Sequence, residues 1–255
     1  MVFHTSKREK ISLRMNYEAV EETIKAGYRE ITPQYRRDDE IEVTTENHRR
    51  VSGRLREICR SFPHPARALE AGCGTGRYFH CLTNVRELVG LDICDDMLRA
   101  AGNPVRQDQI STQHIRLVCQ NVYLMTFPPG YFDFIYSLGM FGNGCPVTVE
   151  LCNRFHDWLA PGGKLLFNTV DIAGLPLWYR ARRQARGMVY PLLNRRWKSV
   201  LDDRAARHPF FGLSKRELAT ILGKTRFSRF EVKSHVCRSP LWTGRHLECL
   251  AIREN

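Results

Sequence analysis

A short apolar segment in this chain runs directly into a turn in which every second residue is glycine. The segment covers residues 66–69, and the sequence Glu-Ala-Gly-Cys-Gly-Thr-Gly follows at residues 70–76. Glycine reaches backbone dihedrals that other residues rarely adopt, and it lets a ligand approach the main chain without meeting a Cβ. The pattern predicts a strand that ends in a ligand-binding turn, and then a helix over residues 77–82 whose first amides point at the ligand.

The spacing of these glycines separates the turn from two common phosphate-binding loops. A dinucleotide-binding turn has its third glycine at the position where this chain has Arg77. A P-loop continues with Gly-Lys and then Ser or Thr, and no such sequence follows here. The turn therefore departs from the nicotinamide and flavin fingerprint, and a P-loop is excluded.

Further apolar segments follow the glycine turn at regular intervals. Residues 87–92 predict a second strand that ends in Asp92, about 20 residues after the first glycine, where a carboxylate can accept hydrogen bonds from ribose hydroxyls. Residues 115–119 and 131–137 predict two more strands. Residues 158–167 then contain a helix end, a tight Pro-Gly-Gly turn and a buried strand.

In this order, the segments resemble the class I S-adenosylmethionine-dependent methyltransferases over roughly residues 66–170. The resemblance implies an α/β, Rossmann-like fold with a doubly wound, seven-stranded and mostly parallel sheet. It also implies that S-adenosyl-L-methionine is the cofactor.

The resemblance further implies how that cofactor lies across the strand ends. The glycine turn wraps the methionine part, the residues after the second strand hold the ribose and flank the adenine, and backbone at the end of the fourth strand lies beside the sulfonium. The implied cofactor-binding residues are Glu70, Gly72, Gly74, Gly76, Asp92, Ile93, Met97, Asn121, Val122 and Ser137.

Three of these residues also have purely structural explanations. Asn121 stands where the family usually has aspartate, and its side-chain carbonyl can still accept a hydrogen bond from the adenine amino group. It can equally be an ordinary turn residue. Asp92 can cap the helix that begins near residue 95, and Glu70 can be a partner for a helix dipole.

Helical patterns precede the first strand. Residues 16–30 and 46–62 carry apolar side chains at three- and four-residue steps, which is typical of amphipathic helices. Residues 33–39 between them are polar and charged, which predicts a mobile segment. The resemblance implies a helical lid over the cofactor, with Tyr28 and Tyr35 as possible contacts.

After the fifth strand, an insert of about forty residues precedes the elements that complete the sheet. A last helix is predicted over residues 214–222, and two closing strands over residues 229–236 and 246–252. The predicted organisation is an N-terminal helical lid at residues 1–62, a cofactor-binding core at 63–171, a basic helical cap insert at 172–212 and the C-terminal completion of the core sheet at 213–255.

The formal net charge of +12 belongs almost entirely to the C-terminal third. Residues 171–255 contain 18 Lys and Arg against 7 Asp and Glu. Three explanations of this basic region stay open: a solvated face, a clamp for one carboxylate or phosphate, and a surface for an extended polyanion or an anionic membrane. Candidate acceptor contacts are Tyr35, Trp178, Tyr179 and His208.

The predicted reaction is methyl transfer to oxygen, nitrogen or carbon of a small acceptor, an aromatic or anionic metabolite. No catalytic residue is assigned. Residues 137–140 read Ser-Leu-Gly-Met rather than the Asn/Asp-Pro-Pro-aromatic tetrad of methyltransferases that modify planar amino groups, so nucleic acid is possible but not favoured. The alternatives are an enzyme that acts on RNA or another macromolecule, and a cofactor-binding protein without methyl transfer.

Cysteine usage and hydropathy bear on location and metal binding. Nine cysteines, an odd number without a Cys-x-x-Cys pair, predict reduced thiols in the cytoplasm and argue against a zinc site, so no metal is expected. No window approaches the roughly 18 apolar residues of a transmembrane segment, and the first twenty residues lack the apolar core of a secretory signal.

Overall fold

The computed structural model describes residues 7–142, 145–178, 180, 181, 185, 211–241 and 243–254, with side chains described from residue 21 onward. Two of the candidate acceptor contacts, Tyr179 and His208, lie outside the described residues, as does most of the insert at residues 172–212. The three explanations of its basic character therefore stay open.

The described residues form a seven-stranded sheet. Its strands are β1 Ala66–Ala71, β2 Val85–Asp92, β3 His114–Cys119, β4 Phe132–Ser137, β5 Leu159–Val170, β6 Arg229–Arg238 and β7 Thr243–Ile252. Their order in the sheet is β3-β2-β1-β4-β5-β7-β6. The first five strands run parallel to one another, and β7 is antiparallel to both β5 and β6. The doubly wound, mostly parallel sheet predicted from the sequence is confirmed.

Apolar side chains alternate along the central strands, so each strand contributes to two separate cores. On β1, Leu69 and Ala71 belong to one buried cluster, whereas Ala66 and Ala68 belong to the other. Among the described residues, the helices with defined bounds are α1 Lys7–Glu42, α2 Glu46–Arg60, α3 Asp95–Ala101, α4 Val149–Trp158 and α5 Lys215–Leu222. The first cluster includes buried side chains of α4 and α5, and the second includes those of α2 and α3.

Local capping explains where two of the predicted helices begin. Thr45 caps α2 by accepting a hydrogen bond from the His48 backbone amide. Ser214 and Glu217 form a reciprocal capping box at the start of α5. The helices predicted over residues 46–62 and 214–222 are thereby confirmed. Among the residues that the structure describes, no helix is long and apolar enough to cross a membrane.

The helix predicted over residues 77–82 is wrong, because only a single 3₁₀ turn, Phe79–Cys81, forms there. Residues 72–84 are all that connect β1 to β2, and the glycine turn occupies the first five of them. The remaining chain buries Phe79, Cys81 and Leu82. A segment this short, which turns most of its side chains inward, cannot extend into an amphipathic helix.

The mobile segment predicted over residues 33–39 is also wrong, because α1 continues without interruption through Pro33 to Glu42. Asp39 is fully buried and accepts hydrogen bonds from Thr75 and Arg77 of the glycine turn. Glu42 accepts a hydrogen bond from Ser239. These tertiary contacts hold the end of α1 in place and outweigh the one backbone hydrogen bond that proline cannot make.

Candidate active site

A cavity of about 730 Å³ lies at the carboxyl ends of the parallel strands, beneath α1. Such sheet edges are where ligands bind in open α/β folds. The lining residues follow the order of the sheet: Gln120 and Asn121 after β3, Asp92 and Ile93 at β2, Glu70 and Gly72 at β1, Leu138, Gly139 and Met140 after β4, Asn168 on β5 and His246 on β7.

The glycine turn leaves its main chain open to this cavity. Gly72 and Gly74 have φ angles of +74° and +53°, which disfavour any other residue. A Cβ on Gly72 would lie 2.6 Å from the Met140 Cβ, whereas a Cβ on Gly74 would meet no protein atom within 4 Å. The Gly74 position therefore faces space that a ligand can fill.

Gly76 has a different role from the two glycines before it. A Cβ at this position would lie 2.7 Å from the Phe79 ring, and Gly76 does not line the cavity. Its φ angle of +75° turns the chain toward the buried 3₁₀ segment. The third glycine of the turn therefore serves packing within the protein.

Asp92 joins the end of β2 to the glycine turn. Its Oδ2 accepts a hydrogen bond from the Gly74 amide at 2.8 Å, and its Oδ1 accepts one from the Cys94 amide at 2.9 Å. Burial raises the pKa of Asp92 above its ordinary value, although the two amides act in the opposite direction. The carboxylate is thus fixed in orientation while its remaining lone pairs can accept hydrogen bonds from a ligand.

Glu70 is a buried carboxyl group in the wall of the cavity. The hydroxyl of Tyr136 donates a hydrogen bond to its Oε2 at 2.7 Å. Burial raises the pKa of Glu70 to about 8. A cationic ligand group beside Glu70 would favour the ionised carboxylate and would bring that pKa down.

Asn121 brings a second carboxylate into the β2–β3 end of the cavity. Its Oδ1 accepts a hydrogen bond from the Tyr123 amide, and its Nδ2 donates to Glu21 Oε2 of α1, both at 2.9 Å. Burial alone would raise the pKa of Glu21, but hydrogen bonds from Lys25 and Asn121 lower it. Sequence reasoning missed Glu21 because its contact with Asn121 spans 100 residues.

Helix α1 covers the cavity and is attached at several points. Arg29 donates a hydrogen bond to Asp96 of α3 at 2.8 Å. Tyr28 and Tyr35 both line the cavity, with their ring centroids 6.4 Å apart. Burial raises the pKa of both hydroxyls, so both are neutral.

The opposite end of the cavity lies at β5 and β7. Asn168 Oδ1 accepts a hydrogen bond from the Gly139 amide at 2.8 Å. Phe211, Leu241 and His246 complete this end, and burial lowers the pKa of the His246 imidazole. None of these four side chains follows a recognisable motif in the sequence, so sequence reasoning did not single them out.

The structure brings most of the candidate site residues together. Ser137 is fully buried and does not line the cavity, whereas the next residues, Leu138 and Gly139, do. Trp178 is 65% exposed and also lies away from the lining. The candidates that line the cavity are Tyr35, Glu70, Gly72, Gly74, Asp92, Ile93, Met97, Asn121 and Val122.

The charges of the lining suit a cationic nucleoside better than a phosphorylated one. Within the described residues, Arg77 is the only Lys or Arg in the lining, and it is paired with Asp39. A pyrophosphate would need cations or free amides to offset its charge, whereas a sulfonium or an ammonium group needs carboxylates. Five residues with carboxyl groups line the cavity: Glu21, Asp38, Glu42, Glu70 and Asp92.

Comparison with known proteins gives one family and many structures. Residues 69–167 match the family described as methyltransferase domain. An S-adenosylmethionine-dependent methyltransferase of Thermotoga maritima, a possible histamine N-methyltransferase, is 15% identical with a TM-score of 0.56, over 91% of this chain and 100% of that one. No curated protein sequence matches this chain.

Two similar structures contain S-adenosylhomocysteine. Phosphoethanolamine N-methyltransferase 2 of Haemonchus contortus, with phosphomonomethylethanolamine also bound, is 14% identical with a TM-score of 0.58, over 81% of this chain and 53% of that one. Magnesium protoporphyrin IX methyltransferase of Synechocystis is 13% identical with a TM-score of 0.55, and the match covers 91% of this chain and 100% of that one.

The TM-scores of these structures show a shared fold, and the matched family covers the glycine turn and the four strands that follow β1. The sheet order and the position of the cavity agree with both. The chain therefore contains a methyltransferase domain at residues 69–167, within a fold that it shares with S-adenosylmethionine-dependent methyltransferases.

Proposed function

We propose that the cavity binds S-adenosylmethionine at its β1–β3 side and a small acceptor at its β5–β7 side. The observation that carries this proposal is the hydrogen bond from the Gly74 amide to Asp92, which joins an open glycine turn to the carboxylate that we propose for the ribose. When bound, the cofactor supplies an electrophilic methyl group on a positively charged sulfur.

Each part of the cofactor has a proposed set of contacts at that side. Asp92 accepts hydrogen bonds from the ribose hydroxyls, and Glu70 pairs with the amino-acid ammonium. Asn121 donates a hydrogen bond to Glu21 at 2.9 Å, and Glu21 in turn accepts one from the adenine amino group. This contact replaces the one that an aspartate at position 121 would make. Leu138 and Gly139, rather than the fully buried Ser137, supply backbone beside the sulfur. Apolar surfaces for the adenine are Ile93, Met97 and Val122.

The chain has to position an acceptor and exclude water, since the methyl group is already reactive. Helix α1 covers the cavity and is proposed to act as the lid. The neutral imidazole of His246 lines the β7 end and is the proposed proton acceptor for a hydroxyl acceptor.

The side chains at the β5–β7 end favour an aromatic acceptor over an anionic one. Phe211, Leu241, Leu138 and Met140 offer apolar surface there, and Tyr35 adds a ring. The one described cation in the lining, Arg77, is already paired with Asp39, so it is a poor clamp for a carboxylate. The similar Haemonchus and Synechocystis proteins are named for small acceptors, which supports a small molecule as the acceptor but does not distinguish an aromatic one from an anionic one. All nine cysteines are unpaired, which supports the proposed cytoplasmic setting.

A paired binding and activity experiment tests the proposal. Asp92→Ala should weaken cofactor binding by about 1–3 kcal/mol, because it removes hydrogen bonds to a charged group. The matched control is Asp108→Ala, at an exposed carboxylate. Calorimetric titration with S-adenosylmethionine measures both, and equal affinities for Asp92→Ala and the wild type would remove Asp92 from the site.

The acceptor is tested with methyl-labelled S-adenosylmethionine and a panel of phenols, aromatic amines, aromatic carboxylates and short RNA. We expect methylated product, seen by mass spectrometry, among the phenols or aromatic amines. Product from RNA alone would overturn the small-acceptor proposal. Cofactor binding without product from any member would favour a binding protein without methyl transfer.

A further inference from the structure

Three metal-binding side chains meet in the interior of the protein, away from the lining of the cavity. His48 lies on α2, and His80 and Cys81 lie in the 3₁₀ turn that follows the glycine turn. The residues are 3%, 4% and 0% exposed, respectively. Their donor atoms all lie within 4.8 Å of one another.

The distances among these donor atoms are those of one tetrahedral coordination shell. Nε2 of His48 lies 3.3 Å from Nε2 of His80, and Cys81 Sγ lies 3.7 Å and 3.5 Å from these two nitrogens. Zinc bonds of about 2.0–2.1 Å to nitrogen and 2.3 Å to sulfur give tetrahedral edges of about 3.3–3.4 Å between nitrogens and about 3.6 Å between nitrogen and sulfur. All three observed edges agree with these values.

A hydrogen-bonded cluster explains this arrangement less well. One imidazole N–H can donate to the other ring and the Cys81 thiol can donate to one nitrogen, so one hydrogen on each donor accounts for at most two of the three edges. Both histidines turn the same atom, Nε2, toward the sulfur. On the far side of its ring, Nδ1 of His48 has no hydrogen-bond partner among the described residues.

We propose that His48, His80 and Cys81 bind a zinc ion. Two neutral imidazole nitrogens and one thiolate form a borderline-soft donor set that favours zinc over magnesium or calcium. On binding, the Cys81 thiol releases its proton to solvent as the sulfur–zinc bond forms, and nothing is oxidised or reduced. Three protein ligands leave the fourth position for a water molecule, beside Ser52 Oγ, which lies 3.0 Å from Cys81 Sγ.

The position of the cluster assigns the zinc a structural role. It would join α2 to the 3₁₀ turn that forms in place of the expected helix. Tyr78 stacks on the His48 ring at 5.3 Å, with an angle of 8° between the planes, and also lines the cavity. Zinc at this cluster would therefore stabilise one wall of the cavity from behind.

The chain has no Cys-x-x-Cys pair, which argues against one kind of zinc site, but histidines also bind zinc. Here 32 residues separate His48 from His80, and only folding brings the two rings together. A mixed His-His-Cys set with this separation has no spacing signature, which is why the expectation of no metal was drawn from the sequence.

Metal analysis of the purified full-length protein tests the proposal without any use of S-adenosylmethionine. We expect about one equivalent of zinc per chain by mass spectrometry of the metal content. Removal by a chelator should lower the melting temperature, and added zinc should restore it. Cobalt(II) should replace zinc and show the thiolate-to-cobalt absorption band and the visible bands of a tetrahedral site.

Cys81→Ser should abolish the thiolate-to-cobalt band, whereas Cys119→Ser, at an exposed cysteine, should keep it. If Cys81→Ser does not fold, the wild-type chelation and cobalt titration still decide the matter. A folded wild-type protein that contains no zinc and gives no cobalt band would overturn the proposal. A band that persists in folded Cys81→Ser would place the metal elsewhere and would overturn it equally.

Discussion

The two ends of the cavity differ in how firmly they are built into the fold. At the β1–β3 end, backbone amides bind Asp92, and the fully buried Asp39 holds the glycine turn against α1. At the β5–β7 end, Phe211 and Leu241 are 37% and 41% exposed. The β1–β3 end is therefore part of the framework that stabilises the protein. Side chains at the β5–β7 end can change with little loss of folding free energy.

This difference fits the division of labour that we propose. A common cofactor calls for a fixed set of contacts, and those contacts come from strand ends and from the turn between β1 and β2. An acceptor that varies among enzymes calls for a replaceable surface. The following variants test whether the two ends separate in this way, from the largest expected effect to the smallest.

Arg77→Met should produce the largest loss of stability. It leaves the Asp39 carboxylate buried without its cation, and breaking such a pair costs about 3 kcal/mol or more. Urea denaturation measures the free energy of unfolding. The control, Arg99→Met, removes an exposed ion pair with Asp96 and should cost less than about 1 kcal/mol. Equal losses for the two variants would show that the cofactor end does not stabilise the fold.

Glu70 should make stability fall as the pH rises. Its pKa is about 8 in the folded protein against an ordinary value of 4.5, so the folded state retains a proton that the unfolded chain releases. The stabilisation is complete below about pH 4.5 and is lost through about pH 8, with a slope of up to about 1.4 kcal/mol per pH unit.

The window from about pH 6.5 to 8 lies between the unfolded and folded pKa values of Glu70, and the histidines that titrate in the unfolded chain contribute equally to the wild type and to Glu70→Gln. We expect a decline of about 2 kcal/mol across this window in the wild type relative to Glu70→Gln, by urea denaturation without cofactor. Glu150→Gln, at an exposed position on α4, should behave like the wild type. Parallel curves for the wild type and Glu70→Gln would contradict the raised pKa.

Glu21→Ala should weaken cofactor binding about 10- to 100-fold, since it removes the charged carboxylate proposed to accept a hydrogen bond from the adenine amino group. The matched control is Glu22→Ala, at an exposed side chain that pairs with Lys25. Titration with S-adenosylhomocysteine and with its inosine analogue separates the causes. If Glu21 contacts the amino group, the wild type should prefer the adenosine form and Glu21→Ala should lose that preference; a preference that survives would assign the contact to another residue.

The same contrast explains what could be predicted from the sequence. The strands, the glycine turn and Asp92 are encoded locally, because each follows directly from a hydrophobic run or a turn. The prediction of a helix after the turn was wrong, because the short connection between β1 and β2 buries Phe79, Cys81 and Leu82 and forms only a 3₁₀ turn. The roles of individual site residues stay proposals.

Contacts between residues that lie far apart in the sequence could not be predicted from it. The Asp39 contacts with Thr75 and Arg77 join residues 36 and 38 positions apart, so the segment at 33–39 looked merely polar. The Glu21 contact and the β5–β7 end depend on the same kind of long-range assembly. Composition and periodicity report which residues are buried, but not which buried polar groups will meet.

Phe211→Ala gives the finest separation of the two ends. Its ring lines the β5–β7 end and is partly exposed, so the variant should fold normally and bind S-adenosylhomocysteine within about twofold of the wild type. For an acceptor found in the panel, kcat/KM should fall about 5- to 30-fold, because about 1–2 kcal/mol of apolar contact is lost. Leu124→Ala, at an exposed side chain outside the lining, should change neither quantity. If Phe211→Ala weakened the cofactor as much as the acceptor, the two ends would be one coupled site, and the fixed cofactor framework could not be separated from the replaceable acceptor surface.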